Sequence, residues 1–200
     1  PCFVLDLTAT PKKESNIISY VDAVQLKNEH MVKLPVIVYN RDSQSEVLID
    51  AIDLRNKLEE IAGAEYAKTG KYIRPIALFQ AQPKGKEDAT TFEKLRDKLV
   101  DKGIPAEQIA IRTADVNELK NTDLMSPSCP IRYIITVNAL KEGWDCPFAY
   151  ILASLANKTS QVDVEQILGR ILRLPHTSQH TQSALNMSYV LTSSNDFNNT

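Results

Sequence analysis

Glycine is scarce in this sequence, and its spacing excludes two common nucleotide-binding motifs. Only six of the 200 residues are glycine. No two of them are separated by a single residue, so the glycine-rich dinucleotide fingerprint is absent. No glycine stands in a GxxxxGK[ST] arrangement, so there is no phosphate-cradling P-loop. We therefore expect no primary nucleotide pocket built by this chain alone.

Cysteine and long apolar runs are equally rare. The three cysteines, Cys2, Cys129 and Cys146, lie far apart, and an odd count without paired spacing argues against a disulfide framework or a zinc ribbon. That usage predicts a reducing cytosol. No apolar run approaches the ~18 residues of a membrane span, and no basic segment followed by an apolar stretch marks a secretory signal. The predicted location is therefore cytoplasmic, without a membrane partner.

Charge of one sign is also missing, because 23 basic residues nearly balance 25 acidic ones and leave a net charge of −2. This balance excludes a histone-like polycation or an acidic tail, so any nucleic-acid contact must depend on a local patch. Hydrophobic residues make up 43% of the chain and charged residues 24%. These fractions are typical of a folded domain and argue against disorder.

Apolar strands and amphipathic helices alternate along the chain. Continuous apolar runs of this kind predict βαβ units, hence an α/β fold of three layers with a mostly parallel sheet and helices on both faces. Functional residues in such sheets gather at the loops that follow the carboxyl ends of the strands. The predicted strands are 3–7, 36–39 (expected to be buried), 76–79, 109–111, 133–137, 150–153 and 189–191, and the predicted helices are 19–31, 45–67, 91–102 and 162–174.

The segment from Gln166 to Arg173 carries an anion-binding pattern. On a helix, residues 166, 169, 170 and 173 share one face, which presents Gln166, Arg170 and Arg173 beside Gly169. Two arginines one turn apart suit an anion with several oxygens, such as a phosphate chain. Glycine costs ~1 kcal/mol in a helix, so its presence indicates a close approach to the backbone. The alternative is an ordinary amphipathic helix with a solvated basic face.

Two further segments place polar residues after apolar strands. The predicted strand at 133–137 continues into a loop that holds Asn138, Gly143 and Asp145. Thr136 and Asn138 suit a phosphate or ribose of nucleic acid, and Asp145 suits a ribose hydroxyl; the alternative is an ordinary βα loop. The third segment, Thr8-Ala9-Thr10, is by itself no more than a strand-to-loop junction.

Taken in order, these segments resemble the later motifs of superfamily 2 helicases and translocases. Thr8-Ala9-Thr10 resembles the motif that closes the first RecA-like domain, and Thr136 to Pro147 resembles the motif that couples nucleic acid to ATP. Gln166 to Arg173 resembles QxxGRxxR, although the family more often has glycine where Ile171 stands. The wording Thr-Ala-Thr-Pro, Glu-Gly-Trp-Asp-Cys-Pro and Gly-Arg-Ile-Leu-Arg-Leu-Pro is similar to the restriction (Res) subunit of type III restriction-modification enzymes.

The resemblance implies a RecA-like fold and a division of the chain. Residues 1–15 would be the end of a preceding RecA-like domain and a linker, 16–192 the second RecA-like domain, and 193–200 a ragged tail. The P-loop and acidic box of the family precede the Thr8 motif and are missing here. The chain therefore reads as a fragment of an ATP-dependent hydrolase, and we expect it to be inactive alone.

The resemblance also assigns roles to individual residues. Arg170 and Arg173 would be arginine fingers, and Gln166 would orient water or the γ-phosphate. Other positions would line the ATP (Gly143, Asp145, Gly169), hold the nucleic-acid backbone (Thr136, Asn138, Phe79, Gln80) or couple the domains (Thr8, Thr10). ATP and Mg²⁺ would be bound mainly by the missing first domain.

The implied partners are DNA, the preceding RecA-like domain, a modification (methyltransferase) subunit and a C-terminal nuclease domain. No metal site is predicted, because His176 and His180 lie four residues apart without a third ligand nearby. Two other functions remain open. One is a superfamily 2 helicase that acts in repair or RNA unwinding, and the other is a non-catalytic α/β module that binds nucleic acid or a protein partner.

Overall fold

The computed structural model of the chain describes residues 16–82, 91–137, 145–155, 168–169 and 171–193. These residues form six strands in one sheet of order β1-β6-β5-β2-β4-β3, and every pairing is parallel. The strands are β1 (Val36–Asn40), β2 (Ile76–Gln80), β3 (Ile109–Arg112), β4 (Tyr133–Thr136), β5 (Ala149–Ser154) and β6 (Ser188–Thr192). The predicted α/β fold class is therefore confirmed.

Three α-helices lie among the described residues: α1 (Ala23–Asn28), α2 (Gln44–Thr69) and α3 (Phe92–Asp101). Short 3-10 turns cover Ala106–Gln108, Pro175–Thr177 and Ser183–Asn186. The helix predicted at 19–31 is shorter than expected, because Asp22 caps α1 at its start and α1 buries none of its residues. Without a buried face, little favours further turns.

Local signals set the ends of α2. Ser43 accepts a hydrogen bond from the Glu46 N–H at 3.2 Å and so caps the first turn. Gly70 ends the helix with φ of +71°, a left-handed conformation that favours glycine, and its N–H donates to the Tyr66 carbonyl. Between these ends, α2 buries an apolar stripe that includes Val47, Ala51 and Leu58.

Strand order decides which strands are buried, and it corrects one prediction. Strands β2 and β5 lie in the middle of the sheet and are buried along their whole lengths. Strand β1 was predicted to be buried but lies at the edge, and Val38 is 45% exposed. β-branched residues are common in edge strands and in central strands, so the local sequence of β1 does not distinguish between the two.

The order of the strands also places α2 and α3. From β1 through α2 to β2, and from β2 through α3 to β3, the chain advances toward one edge of the sheet; from β5 to β6 it moves back. Parallel crossovers are right-handed in ~98% of cases. This rule assigns α2 and α3 to the same face of the sheet.

Arg74, two residues before β2, is a buried cation that anchors a long loop. Its side chain is 1% exposed. The guanidinium donates to the backbone carbonyls of Ile131 at 2.9 Å and Ser126 at 2.8 Å, and to that of Leu124. Among the described residues no carboxylate pairs with it. Arg74 therefore satisfies the buried carbonyls of this loop rather than an acidic partner.

The free edge of β3 is closed by a side chain instead of a strand. The Glu118 carboxylate accepts a hydrogen bond from the Ile111 N–H at 2.7 Å, and the Glu118 N–H donates to the Ile111 carbonyl at 3.0 Å. Arg96 on α3 holds the same carboxylate at 3.0 Å. A charged side chain on an edge strand discourages pairing with another strand.

A buried acid and a buried histidine join α2 to the loop before β6. Glu65 accepts hydrogen bonds from Thr181 N–H and Oγ1 and from Gln182 N–H at 2.6–3.2 Å. Burial alone would raise the pKa of Glu65, but these bonds bring it below its usual range. His180, whose Nδ1 lies 3.7 Å from Glu65, has both ring nitrogens buried without a hydrogen-bond partner among the described residues. Burial lowers the pKa of His180.

We expect His180 to make the chain acid-sensitive near neutral pH. Because its folded pKa is depressed, its contribution is complete above the unfolded value of ~6.5 and is lost as the pH falls below it. Urea unfolding between pH 7.5 and 5 should show this loss. The His180→Leu variant should have a flatter profile over that range, and an unchanged profile would show that His180 is not responsible.

Candidate functional site

The carboxyl ends of the six strands carry a continuous row of polar residues. Each strand ends on one of them, and the strand register makes each the neighbour of the next. We call this set the polar row; across the sheet it reads Asn40, Thr192, Ser154, Gln80, Thr136 and Arg112. Its four inner members are buried. Predicted site residues Gln80 and Thr136 are thus adjacent in the centre of the sheet.

Most of the inner side chains at this edge have internal partners. The Ser154 hydroxyl donates to Gln80 Oε1 at 3.0 Å. Gln82, just after β2, and Gln44, at the start of α2, both donate to the Leu155 carbonyl, at 3.0 and 2.9 Å. These bonds hold the ends of β2 and β5 together and fix the position of the Gln80 side chain.

Thr136 is the exception in the polar row. Its side chain is 1% exposed, and its Oγ1 has no hydrogen-bond partner among the described residues. An unsatisfied buried hydroxyl costs ~1–3 kcal/mol. The hydroxyl stands at the point where β4 ends, directly before residues 138–144, which lie outside the described part of the chain. A ligand at this edge of the sheet could therefore supply the hydrogen-bond partner that the Thr136 hydroxyl lacks.

Phe79 does not present its ring at this edge. It lies in the middle of the core with 0% exposure, and its ring stacks on Tyr133 with the centroids 6.3 Å apart. Successive residues of a strand face opposite sides of the sheet, so Phe79 and Gln80 point apart. The Phe79 ring therefore serves packing, and the predicted contact between Phe79 and nucleic acid stays a prediction.

The structure places Asp145 and Arg173 together at the other end of the strands, the amino edge of the sheet. Arg173 Nη1 lies 2.5 Å from Asp145 Oδ2, and the two side chains are 62% and 46% exposed. Asp145 lies before β5, whereas Thr136 ends β4. Since the strands span three to five steps of ~3.3 Å, the amino and carboxyl ends of the sheet are separated by about 10–16 Å. The two sets of predicted residues therefore lie at opposite ends of the strands.

Arg173 reaches that position because the helix ends earlier than predicted. Ile171 is the last described residue of this α-helix, and Arg173 forms an antiparallel bridge with Val32. The residue before a proline disfavours the helical conformation, and Leu174 precedes Pro175. The prediction that Arg173 shares a helix face with Gly169 is therefore wrong. Gly169 itself is helical and exposed, and a Cβ added there would meet nothing within 4 Å.

Several predicted positions lie outside the described residues, and their roles stay predictions. They are Thr8, Thr10, Asn138, Gly143, Gln166 and Arg170. The proposed linker 1–15 and all but the first residue of the tail 193–200 are outside as well.

Sequence reasoning missed a fully buried lysine near the amino edge. Lys33 has 0% exposure, and its Nζ donates to the carbonyls of Pro147 at 2.8 Å and Ala149 at 2.7 Å. Nζ also lies 4.1 Å from the centre of the Tyr150 ring. Burial lowers the pKa of Lys33 to about 7, although Cys146 and Asp145 oppose the shift. The only sequence signal is a single charge between Val32 and Leu34, which does not distinguish a buried lysine from an exposed one.

Cys129 and Cys146 are buried and form no disulfide. In the described ranges no three His, Cys, Asp or Glu side chains converge in a way that would hold a metal ion. Within those same ranges no helix has the length and apolar character needed to cross a membrane.

Comparison with family models and with curated proteins found no match. Among solved structures, the chain is similar to the "ATP-dependent Type ISP restriction-modification enzyme LlaBIII bound to DNA", with a TM-score of 0.44 and 20% identity over 84% of this chain. The match spans 12% of that enzyme's chain. At this TM-score the likeness supports no statement about function.

Proposed function

We propose that the chain is the second RecA-like domain, residues 16–192, of a superfamily 2 helicase or translocase similar to the Res subunit of type III restriction-modification enzymes. The observation that carries the proposal is the separation of the motif residues. Thr136 and Gln80, assigned to nucleic acid, lie at the carboxyl edge, and Asp145 and Arg173, assigned to nucleotide, lie together at the amino edge. A motor that couples two ligands needs two such surfaces.

At the carboxyl edge, the polar row would hold the backbone of DNA. The partnerless Thr136 hydroxyl would bond to a phosphate or sugar oxygen, and Arg112 at the border of the sheet would add a positive charge. Contacts of this kind carry no base information. Binding should therefore be independent of sequence and should weaken as salt concentration rises.

At the amino edge, Arg173 would stabilise charge on the transferred phosphoryl group together with Arg170, while Gln166 orients water. The Arg173–Asp145 pair is exposed, and exposed pairs contribute ~1 kcal/mol or less. A phosphate group would therefore displace Asp145 at little cost and free the carboxylate for a ribose hydroxyl. Mg²⁺ and the phosphates would be held mainly by the preceding domain, so the isolated chain should not hydrolyse ATP.

The test is DNA-stimulated ATP hydrolysis by a longer protein that joins this chain to a P-loop domain, with the isolated chain as control. DNA-stimulated hydrolysis by the longer protein, with none by the isolated chain, supports the proposal. Stimulation by RNA but not DNA favours an unwinding role on RNA. Binding of single-stranded DNA without any hydrolysis favours the non-catalytic module. The modification subunit and nuclease domain are part of the same proposal and would be identified by co-purification and by DNA cleavage.

Replacement of Thr136 by valine should separate binding from folding. Valine keeps the shape and removes a buried hydroxyl that lacks a partner, so the free energy of unfolding should stay the same or rise by ~1 kcal/mol. Affinity for single-stranded DNA should fall several-fold, because one phosphate or sugar contact is lost. Urea unfolding and fluorescence anisotropy with a labelled oligonucleotide measure the two effects.

Ser154→Ala is the matched control, because its hydroxyl already donates to Gln80. We expect this variant to lose ~1 kcal/mol of stability and to retain most of its DNA affinity. If Thr136→Val binds DNA as tightly as wild type, the Thr136 hydroxyl is not a DNA contact.

A further inference from the structure

Lys33 connects the two segments that carry Asp145 and Arg173. Its ammonium bonds to the carbonyls of Pro147 and Ala149 at 2.8 and 2.7 Å, and so holds the turn that follows Asp145. That turn is closed by a bond from the Ala149 N–H to the Cys146 carbonyl at 3.0 Å. The side chain of Lys33 therefore fixes where the backbone after Asp145 runs.

The main chain around Lys33 holds the other segment. The Lys33 N–H donates to the Leu172 carbonyl at 2.5 Å, and the Leu174 N–H donates to the Met31 carbonyl at 3.0 Å. Between them, Val32 and Arg173 form the antiparallel bridge. Ser188 at the start of β6 donates to the Lys33 carbonyl at 3.4 Å. The backbone around Arg173 is thus paired with the backbone around Lys33, and the side chain of Lys33 holds the turn after Asp145.

We propose that Lys33 is the positioning residue for Arg173: it keeps Arg173 and Asp145 within ion-pair distance of each other at the amino edge of the sheet. The structural inference stands on these contacts, and its consequence for catalysis rests on the proposed function. Lys33 itself is fully buried and would touch neither nucleotide nor DNA.

The surroundings of the buried Lys33 ammonium explain why a lysine stands at this position. No acidic side chain among the described residues forms an ion pair with Lys33, and an apolar residue would fill such a site at lower desolvation cost. An ammonium, however, can bond two carbonyls at once, and hydrogen bonds from a charged donor are roughly twice as strong as neutral ones. The groups that influence this ammonium are Cys146 and Asp145 from the turn, the Tyr150 ring of β5 and, more weakly, His180.

The first test compares Lys33→Met with wild type in the 200-residue chain. Methionine keeps the apolar stem and removes both bonds to the turn. Lys71→Met is the matched control, since its Nζ bonds Ser178 at 2.8 Å and no described contact joins it to Asp145 or Arg173. Nitrogen-15 NMR of the Arg173 guanidinium reports the pair, and Asp145→Asn gives the signal of unpaired Arg173. We expect Lys33→Met, but not Lys71→Met, to shift the Arg173 signal toward the unpaired position; an unshifted signal overturns the proposal.

A titration of the unaltered chain provides the test if Lys33→Met does not fold. Since burial lowers the pKa of Lys33 to about 7, its charge is lost within an accessible range. The neutral amine keeps two N–H donors but loses the charge that strengthens them. The Arg173 signal should move with the same midpoint as the Lys33 Nζ signal. An Arg173 signal that stays constant through that midpoint, or follows His180 instead, overturns the proposal.

In the longer protein, Lys33→Met should lower kcat for ATP about 10-fold and leave the KM for DNA unchanged, and it should add little to Arg173→Gln because both act through Arg173. An unchanged kcat, with the Arg173 signal shifted, would show that the positioning has no catalytic consequence. If the wild-type longer protein hydrolyses no ATP while the Arg173 signal still depends on Lys33, the proposed function fails and the positioning role stands.

Discussion

Replacement of Arg170 by alanine, in a longer protein that supplies the phosphate-binding half, is expected to lower DNA-stimulated ATP hydrolysis at least ~100-fold. Arginine fingers contribute ~10³–10⁵ in rate in related phosphoryl-transfer enzymes, because they stabilise charge that develops in the transition state. Arg170 lies outside the described residues, so the expectation rests on the QxxGRxxR resemblance. Steady-state measurement of kcat at saturating DNA and ATP is the appropriate assay.

Arg173→Gln should produce a loss of similar size, for a reason visible in the structure. Its side chain is 62% exposed, and among the described residues its guanidinium pairs only with the exposed carboxylate of Asp145, so it can turn to a phosphate. Glutamine keeps a hydrogen-bond donor and removes the charge. Arg96→Gln is the control, because Arg96 lies on α3 and pairs with Glu118 rather than with a residue of these motifs, and it should retain wild-type kcat. If Arg170→Ala and Arg173→Gln both keep their rates, the arginine-finger assignment is wrong and the non-catalytic module becomes the better interpretation.

Arg74→Met should lower the free energy of unfolding by about 3–5 kcal/mol, the largest destabilisation expected among the variants proposed for this chain. Methionine fills part of the space, but the carbonyls of Leu124, Ser126 and Ile131 lose their donor. Each unsatisfied buried group costs ~1–3 kcal/mol. Urea unfolding followed by circular dichroism measures the change.

The exposed Arg96 again offers a control of the same residue type. Arg96→Met removes one partly exposed ion pair and should change the free energy of unfolding by ~0.5 kcal/mol or less. A loss of under 1 kcal/mol in Arg74→Met would mean that water replaces the guanidinium in the loop.

The sequence predicted those elements whose signals are local. The continuous apolar runs of β2, β4 and β5 and the capped, glycine-terminated α2 were found to within one or two residues at each end. The resemblance assigned Gln80 and Thr136 to nucleic acid without predicting that they are neighbours; the parallel pairing of β2 and β4 brings them together.

Features that depend on contacts distant in sequence were not predictable. The edge position of β1 follows from strand order, which a single strand does not encode. Pro175 is a local signal for the end of the helix before Arg173, but the bridge from Arg173 to Val32, more than a hundred residues away, is not visible in the sequence. Lys33 and Arg74 look like surface cations in the sequence, and only the fold shows that backbone carbonyls surround them.

The carboxylate of Glu118 gives the sheet two unlike borders. On the β3 side, a side chain already occupies the N–H that an incoming strand would use, whereas on the β1 side no strand of the described chain pairs beyond Val36–Asn40. Growth of this sheet by a further strand, whether from another part of the same protein or from a second molecule, is therefore directional. At β3 a further strand must first displace an acid that Arg96 also holds, an obstacle that the described residues do not place at β1.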